Sequence, residues 1–118
     1  MEKARQFTDL KVWQKAHALV LKVYRLTAAF PDEEKFGLVA QLRRAAVSIA
    51  ANLAEGFKKR TRKDKANFYN TSQGSLEEVR YYLILSRDLG LEGDFERHLQ
   101  QADEIGKMLT GLIKSLEA

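Results

Sequence analysis

Apolar residues recur at steps of three and four over almost the whole chain, and this restricts its fold more than any other feature. The clearest stretch is Phe95, Leu99, Ala102, Ile105, Leu109, Leu112 and Leu116. Such steps gather side chains on one face of an α-helix, whereas a strand would place them on alternate faces. The first stretch, Leu10 to Ala29, carries two seams. One runs through Leu10, Trp13, His17, Val20, Tyr24 and Thr27, the other through Val12, Ala16, Leu19, Val23, Leu26 and Phe30. A second stretch has Val39, Leu42, Ala46, Ile49, Leu53 and Phe57, and a third has Phe68, Ser72, Ser75, Val79, Tyr82, Ser86 and Leu89. The spacing predicts helices over about 10–29, 34–60, 64–89 and 94–117.

The punctuation agrees with this division. Pro31, the one proline, pushes Phe30 out of the α region. Asp32 is the expected N-cap of the second helix, with Glu33 and Glu34 placed well for its dipole. Thr61 or Asp64 should cap the third helix, Gly90 should end it, and Gly93 and Asp94 should introduce the fourth. A length of 118 residues fits one domain, 1–118, and 45% hydrophobic against 31% charged residues is the balance of a folded soluble chain. Short connections make successive helices antiparallel neighbours. The expected fold is therefore all-α, an up-down-up-down antiparallel four-helix bundle.

Polar residues interrupt the apolar seams. The second helix carries Gln41, Arg44, Ser48, Asn52 and Glu55 on one stripe, flanked by Ala45 and Ala51, and the third has serines where a core would carry leucine. Buried polar groups must find partners, so such residues specify one packing. Folding back about residues 61–62 puts Ser48 opposite Ser75 and Arg44 near Glu78. A close serine pair and an Arg44–Glu78 ion pair are expected, with Asn52 placed to join them. Gly74 lies inside a helix at a cost of about 1 kcal/mol relative to alanine; tight helix contact is the expected reason. The double seam of the first helix is either a broad core stripe or the cover of a subunit interface.

Charge is unevenly spread. Residues 1–65 hold 15 Lys/Arg against 7 Asp/Glu, a net +8, while residues 88–118 hold 3 against 7, a net −4. Lys58, Lys59, Arg60, Arg62, Lys63 and Lys65 are six basic residues among eight, at a bundle end. Cations so placed would contact phosphates of RNA or DNA without reading sequence, although lysines near a helix C-terminus also answer its dipole. Arg43 is expected at the surface, supplementing this patch, and Arg44 in the structural stripe. Phe57 and Tyr69 flank the run and could stack on bases; a place in the core is the favoured reading.

Catalytic readings fail on inventory. There are no cysteines, which removes disulfides and thiolate chemistry and suits a cytoplasmic location. Asn52 and Glu55 have no histidine nearby for proton transfer. His17 lies on an apolar seam and His98 beside Arg97, and neither makes the Glu-x-x-His pair of a di-iron bundle or follows an arginine at nuclease spacing. No metal, cofactor, phosphate-binding glycine loop, signal region or membrane span is expected.

The run Ser48-Ile49-x-x-Asn52-x-Ala54-Glu55-Gly56, followed by Gly74-Ser75-x-x-Glu78, resembles the 23S rRNA intervening-sequence proteins of bacteria. So do the opening Phe7-x-Asp9-Leu10-x-Val12-Trp13-Gln14-x-Ala16 and the segment Leu42-Arg43-Arg44-Ala45-Ala46. The resemblance implies a four-helix protomer assembling into a barrel-like homopentamer. Some members are encoded within insertions of large-subunit rRNA genes. The accessory protein of diversity-generating retroelements is similar; it works with a reverse transcriptase and binds nucleic acid. The expected function is a non-enzymatic homo-oligomer binding RNA or DNA through the basic run. The alternative is a protein-interaction scaffold, for example an accessory subunit for a reverse transcriptase.

Overall fold

The computed structural model describes residues 3–117. It contains four helices: α1 Lys11–Ala28, α2 Ala40–Lys58, α3 Arg62–Asp88 and α4 Phe95–Ser115. A 3-10 turn at Phe7–Asp9 precedes α1, and no strand occurs among the described residues.

The helix ends follow local chemistry. The Thr61 hydroxyl accepts the Asp64 amide at 3.1 Å, so Thr61 is the cap of α3 and Asp64 lies inside its first turn, where its charge meets the positive dipole end. At the other end Gly90 takes a φ of +78°, the Leu91 amide reaches back to the Ser86 carbonyl and the Gly90 amide to that of Arg87. This is a Schellman ending. Asp94 caps α4 by accepting the Arg97 amide.

The start of α2 departs from expectation. A helix beginning near 34 is predicted, but Asp32–Glu34 form a 3-10 turn and Lys35–Val39 a π turn before the α-helix begins at Ala40. The N-cap of the 3-10 turn is Pro31 and that of α2 is Val39, so Asp32 is not the expected cap. Leu38 and Val39 enter the core from this π turn and Phe36 is left exposed. The other end of α2 stops at Lys58, two residues early, because Lys59 turns to an extended ψ of 150°.

One buried cluster takes residues from all four helices, among them Leu19 and Val23 of α1, Leu42, Ile49 and Leu53 of α2, Val79 and Leu83 of α3, and Ile105 and Leu109 of α4. The most extensive packing is α2 on α3; α1 on α2, α3 on α4 and α1 on α4 complete a four-helix bundle. The register is set by named pairs. Arg44 meets Glu78, Ser48 meets Ser75 and Phe57 meets Lys65; Arg87 meets Glu96 and Arg80 meets Asp103; Lys15 meets Glu104. The bundle measures 45 × 23 × 20 Å, so its two ends are well separated.

Of the two α1 seams, Val12, Ala16, Leu19, Val23, Leu26 and Phe30 are all buried. The other divides: Val20 and Thr27 are buried, Leu10 and Trp13 half-buried, His17 and Tyr24 exposed.

Candidate functional site

The polar stripe of α2 meets the serines of α3 as the spacing predicts. The Ser48 and Ser75 hydroxyls lie 2.7 Å apart. Ser72 donates to the Ile49 carbonyl at 2.9 Å, so buried hydroxyls join the two helices at successive turns. Asn52 donates to both the carbonyl and the hydroxyl of Ser48, at 2.8 and 3.0 Å, and so steadies the serine pair rather than the ion pair. Arg44 holds Glu78 at 3.1 Å and Gln41 at 2.9 Å, with half of each charged side chain in solvent. Glu55 is exposed at the far end of the stripe.

Gly74 does not have the role expected of it. It is exposed, and a Cβ built there meets nothing within 4 Å. The close approach belongs to Gly56, which is buried; a Cβ on it would lie 2.7 Å from Tyr69 Cε1 and 2.8 Å from Phe68 Cβ. Small size is needed one helix away from where it was sought.

The basic run occupies the α2–α3 turn. Lys58, Lys59, Arg60, Arg62 and Lys63 are exposed. Lys65 is turned inward, donating to the Phe57 carbonyl at 2.6 Å with its ammonium 5.3 Å from the Phe57 ring centre. It thereby satisfies a carbonyl at the negative end of α2. The Lys59 ammonium stands 4.9 Å over the Phe68 ring. Tyr69 is 2% exposed, a core residue, and burial raises its phenol above the usual range. Phe57 and Phe68 are half-buried. The aromatic partner of the turn is therefore Phe68 and not Tyr69, one position along the helix.

Arg43 is not beside this patch. Its Nε donates to the Thr27 hydroxyl at 2.8 Å, an Nη to the Tyr24 carbonyl at 3.3 Å, and its guanidinium lies 4.5 Å over the Tyr24 ring. It clamps the C-terminal turn of α1 to α2. Fifteen residues of helix, about 22 Å at 1.5 Å each, separate it from Lys58.

That clamp also aligns an outer face. On α1 it continues from Tyr24 to His17 and Trp13, whose rings stack with centres 5.0 Å apart, and Phe7 packs edge-on against Trp13. On α2, one turn from Arg43, Val47 is 42% exposed and Ala51 is exposed, and on α1 Leu21 is 44% exposed. Sequence reasoning missed Val47 and Leu21 because neither belongs to a core seam.

The order of motifs on this bundle matches one family. A family model described as 23S rRNA-intervening sequence protein covers residues 8–111. The chain belongs to that family. A crystal structure of a protein of unknown function from the S23 ribosomal protein family of Bacteroides thetaiotaomicron has the same fold, with a TM-score of 0.80 and 26% identity over 87% of this chain and 95% of that one. Among curated proteins there is no match. The match spans α1 to α3 and nearly all of α4, so the serine pair, the glycine contact and the basic turn all lie within the family region. Among the described residues, no group of three acidic or histidine side chains is placed to hold a metal ion, and no helix is long and apolar enough to cross a membrane.

Proposed function

We propose that this chain is a non-enzymatic, cytoplasmic, homo-oligomeric bundle protein that binds RNA or DNA without sequence preference through the α2–α3 turn. The observation carrying this reading is the turn itself. Lys58, Lys59, Arg60 and Lys63 project from one end of the bundle, and the polar α2–α3 seam holds the helices that present them. An exposed cation gains little from an isolated protein carboxylate but much from the charge density of a polyphosphate, where each contact releases counterions. The helix registers support an up-down-up-down topology within one domain, so the turn lies at the end shared with the start of α1 and the end of α4.

The outer face of Trp13, His17, Leu21, Tyr24, Val47 and Ala51 supports self-association, and the family resemblance supplies a barrel-like pentamer as its form. Copies arranged around an axis would repeat the turn as a ring of positive charge. Glutamine at Lys58, Lys59, Arg60 and Arg62 together should abolish most binding to RNA in fluorescence anisotropy and flatten its dependence on salt. Binding left intact in that variant rejects the mechanism.

A protein-interaction scaffold is the second reading. It is favoured by apolar side chains away from the α1–α2 face, with Phe36 88%, Tyr81 58% and Leu89 57% exposed. A partner such as a reverse transcriptase that stays bound after nuclease treatment would support it.

A further inference from the structure

The α2–α3 turn combines cations with an aromatic ring that has one face already occupied by a movable charge. Phe68 is half-buried, its Cβ fixed against Gly56, and the Lys59 ammonium stands 4.9 Å above its ring. A phenyl face that accepts a lysine ammonium is open to a flat ligand from the same side. The neighbouring ring differs. Phe57 is covered by Lys65, and Lys65 is tied down by its 2.6 Å bond to the Phe57 carbonyl. Of the two half-buried rings, Phe68 is therefore the one whose cover can leave.

We propose that Phe68 is a stacking platform for an unpaired base and that the turn binds single-stranded nucleic acid in preference to duplex. This rests on the nucleic-acid reading of the turn and specifies its ligand. A nucleotide supplies both a plane and an anion. When the base takes the ring face, Lys59 swings from the ring to the adjoining phosphate and keeps an attractive partner. Base–aromatic stacking is worth more than an exposed cation–π contact, so the exchange is favourable. A duplex keeps its bases stacked within the helix and offers the turn its phosphates alone. Stacking tolerates any base, which agrees with binding that reads no sequence.

The test compares labelled oligouridine, oligothymidine and an RNA duplex of equal length across a salt series. Wild-type protein is expected to bind both single strands more tightly than the duplex. Phe68→Leu should weaken single-strand binding about tenfold and leave duplex binding unchanged, with the salt slope unaltered because no phosphate contact is lost. Phe68→Tyr should restore single-strand binding. Should Phe68→Leu fail to fold, upfield shifts of the Phe68 ring protons on adding oligouridine to wild-type protein give the same answer. Equal binding of single strand and duplex, no loss in Phe68→Leu, or unshifted ring protons would overturn the stacking platform and leave the basic turn standing. Binding of none of the three probes would overturn both. A preference for oligouridine over oligothymidine, or the reverse, assigns the ligand to RNA or to DNA.

Discussion

Two helical glycines have opposite value. Gly56 lies where a methyl group would press on Tyr69 and Phe68 at 2.7–2.8 Å, whereas Gly74 faces open space. Alanine improves helix propensity at both, by about 1 kcal/mol, but at Gly56 the overlap with ring and Cβ costs about 1–3 kcal/mol and should outweigh the gain. Gly56→Ala is expected to lower the urea midpoint and Gly74→Ala to raise it. Tyr69 gives a second prediction at this scale. Burial raises its phenol above the 10.0 it has in the unfolded chain, so the unfolded state loses its proton first. The stability this residue contributes is complete below pH 10 and is lost as pH rises through the higher folded value. Tyr69→Phe should therefore lose less stability than wild type between neutral and strongly alkaline pH, measured by denaturant titration at each pH.

Pairing of α2 with α3 is a matter of elements, and its polar bonds are unequal. The Ser72 hydroxyl is fully buried and bonded to the Ile49 carbonyl, whereas the Arg44–Glu78 pair is about half exposed. A buried hydrogen bond contributes about 1 kcal/mol, and an exposed ion pair about 0.2–1 kcal/mol, screened by salt. A double-mutant cycle on Arg44 and Glu78 should give a coupling in that range that vanishes near 1 M salt. Ser72→Ala should cost about 1 kcal/mol at any salt concentration. Thr61→Ala removes the bond to the Asp64 amide and should cost about as much, through the start of α3.

For the whole molecule the proposed self-association rests on the outer α1–α2 face. Apolar and aromatic side chains on two adjacent helices, with Arg43 spanning them at Tyr24, form a surface that a second copy would cover. Val47→Glu adds a charge at its centre without touching the core, since Val47 is 42% exposed. Where copies associate as proposed, light scattering on this variant should show a smaller assembly than wild type with helical content unchanged, and a monomeric wild type would overturn self-association. Undiminished assembly would move the contact to another face.

The four helices were legible from residue spacing because 3.6-residue periodicity and single-residue punctuation act locally. The Ser48–Ser75 and Arg44–Glu78 pairs were legible too, since a short turn between two helices leaves little freedom of register. The family was readable for the same reason: its motifs are contiguous runs. The winding of Lys35–Val39 was hidden, because the apolar spacing of Leu38, Val39 and Leu42 is that of a regular α-helix and carries no mark of a π turn. So was the exchange of roles between Gly74 and Gly56, and the place of Phe68 under Lys59, whereas Tyr69 lies in the core as expected. Periodicity says which residues share a face, but not which point on that face the next helix crosses. Arg43 carried no local mark that would send it to Thr27 rather than to solvent; only the meeting of α1 with α2 decides that. By itself the sequence determined the helices, the polar seam and the charge of the turn. Tertiary structure decided which small residue permits contact, which ring lies under Lys59, and which cations stay exposed, because each depends on atoms distant in the chain and close in space.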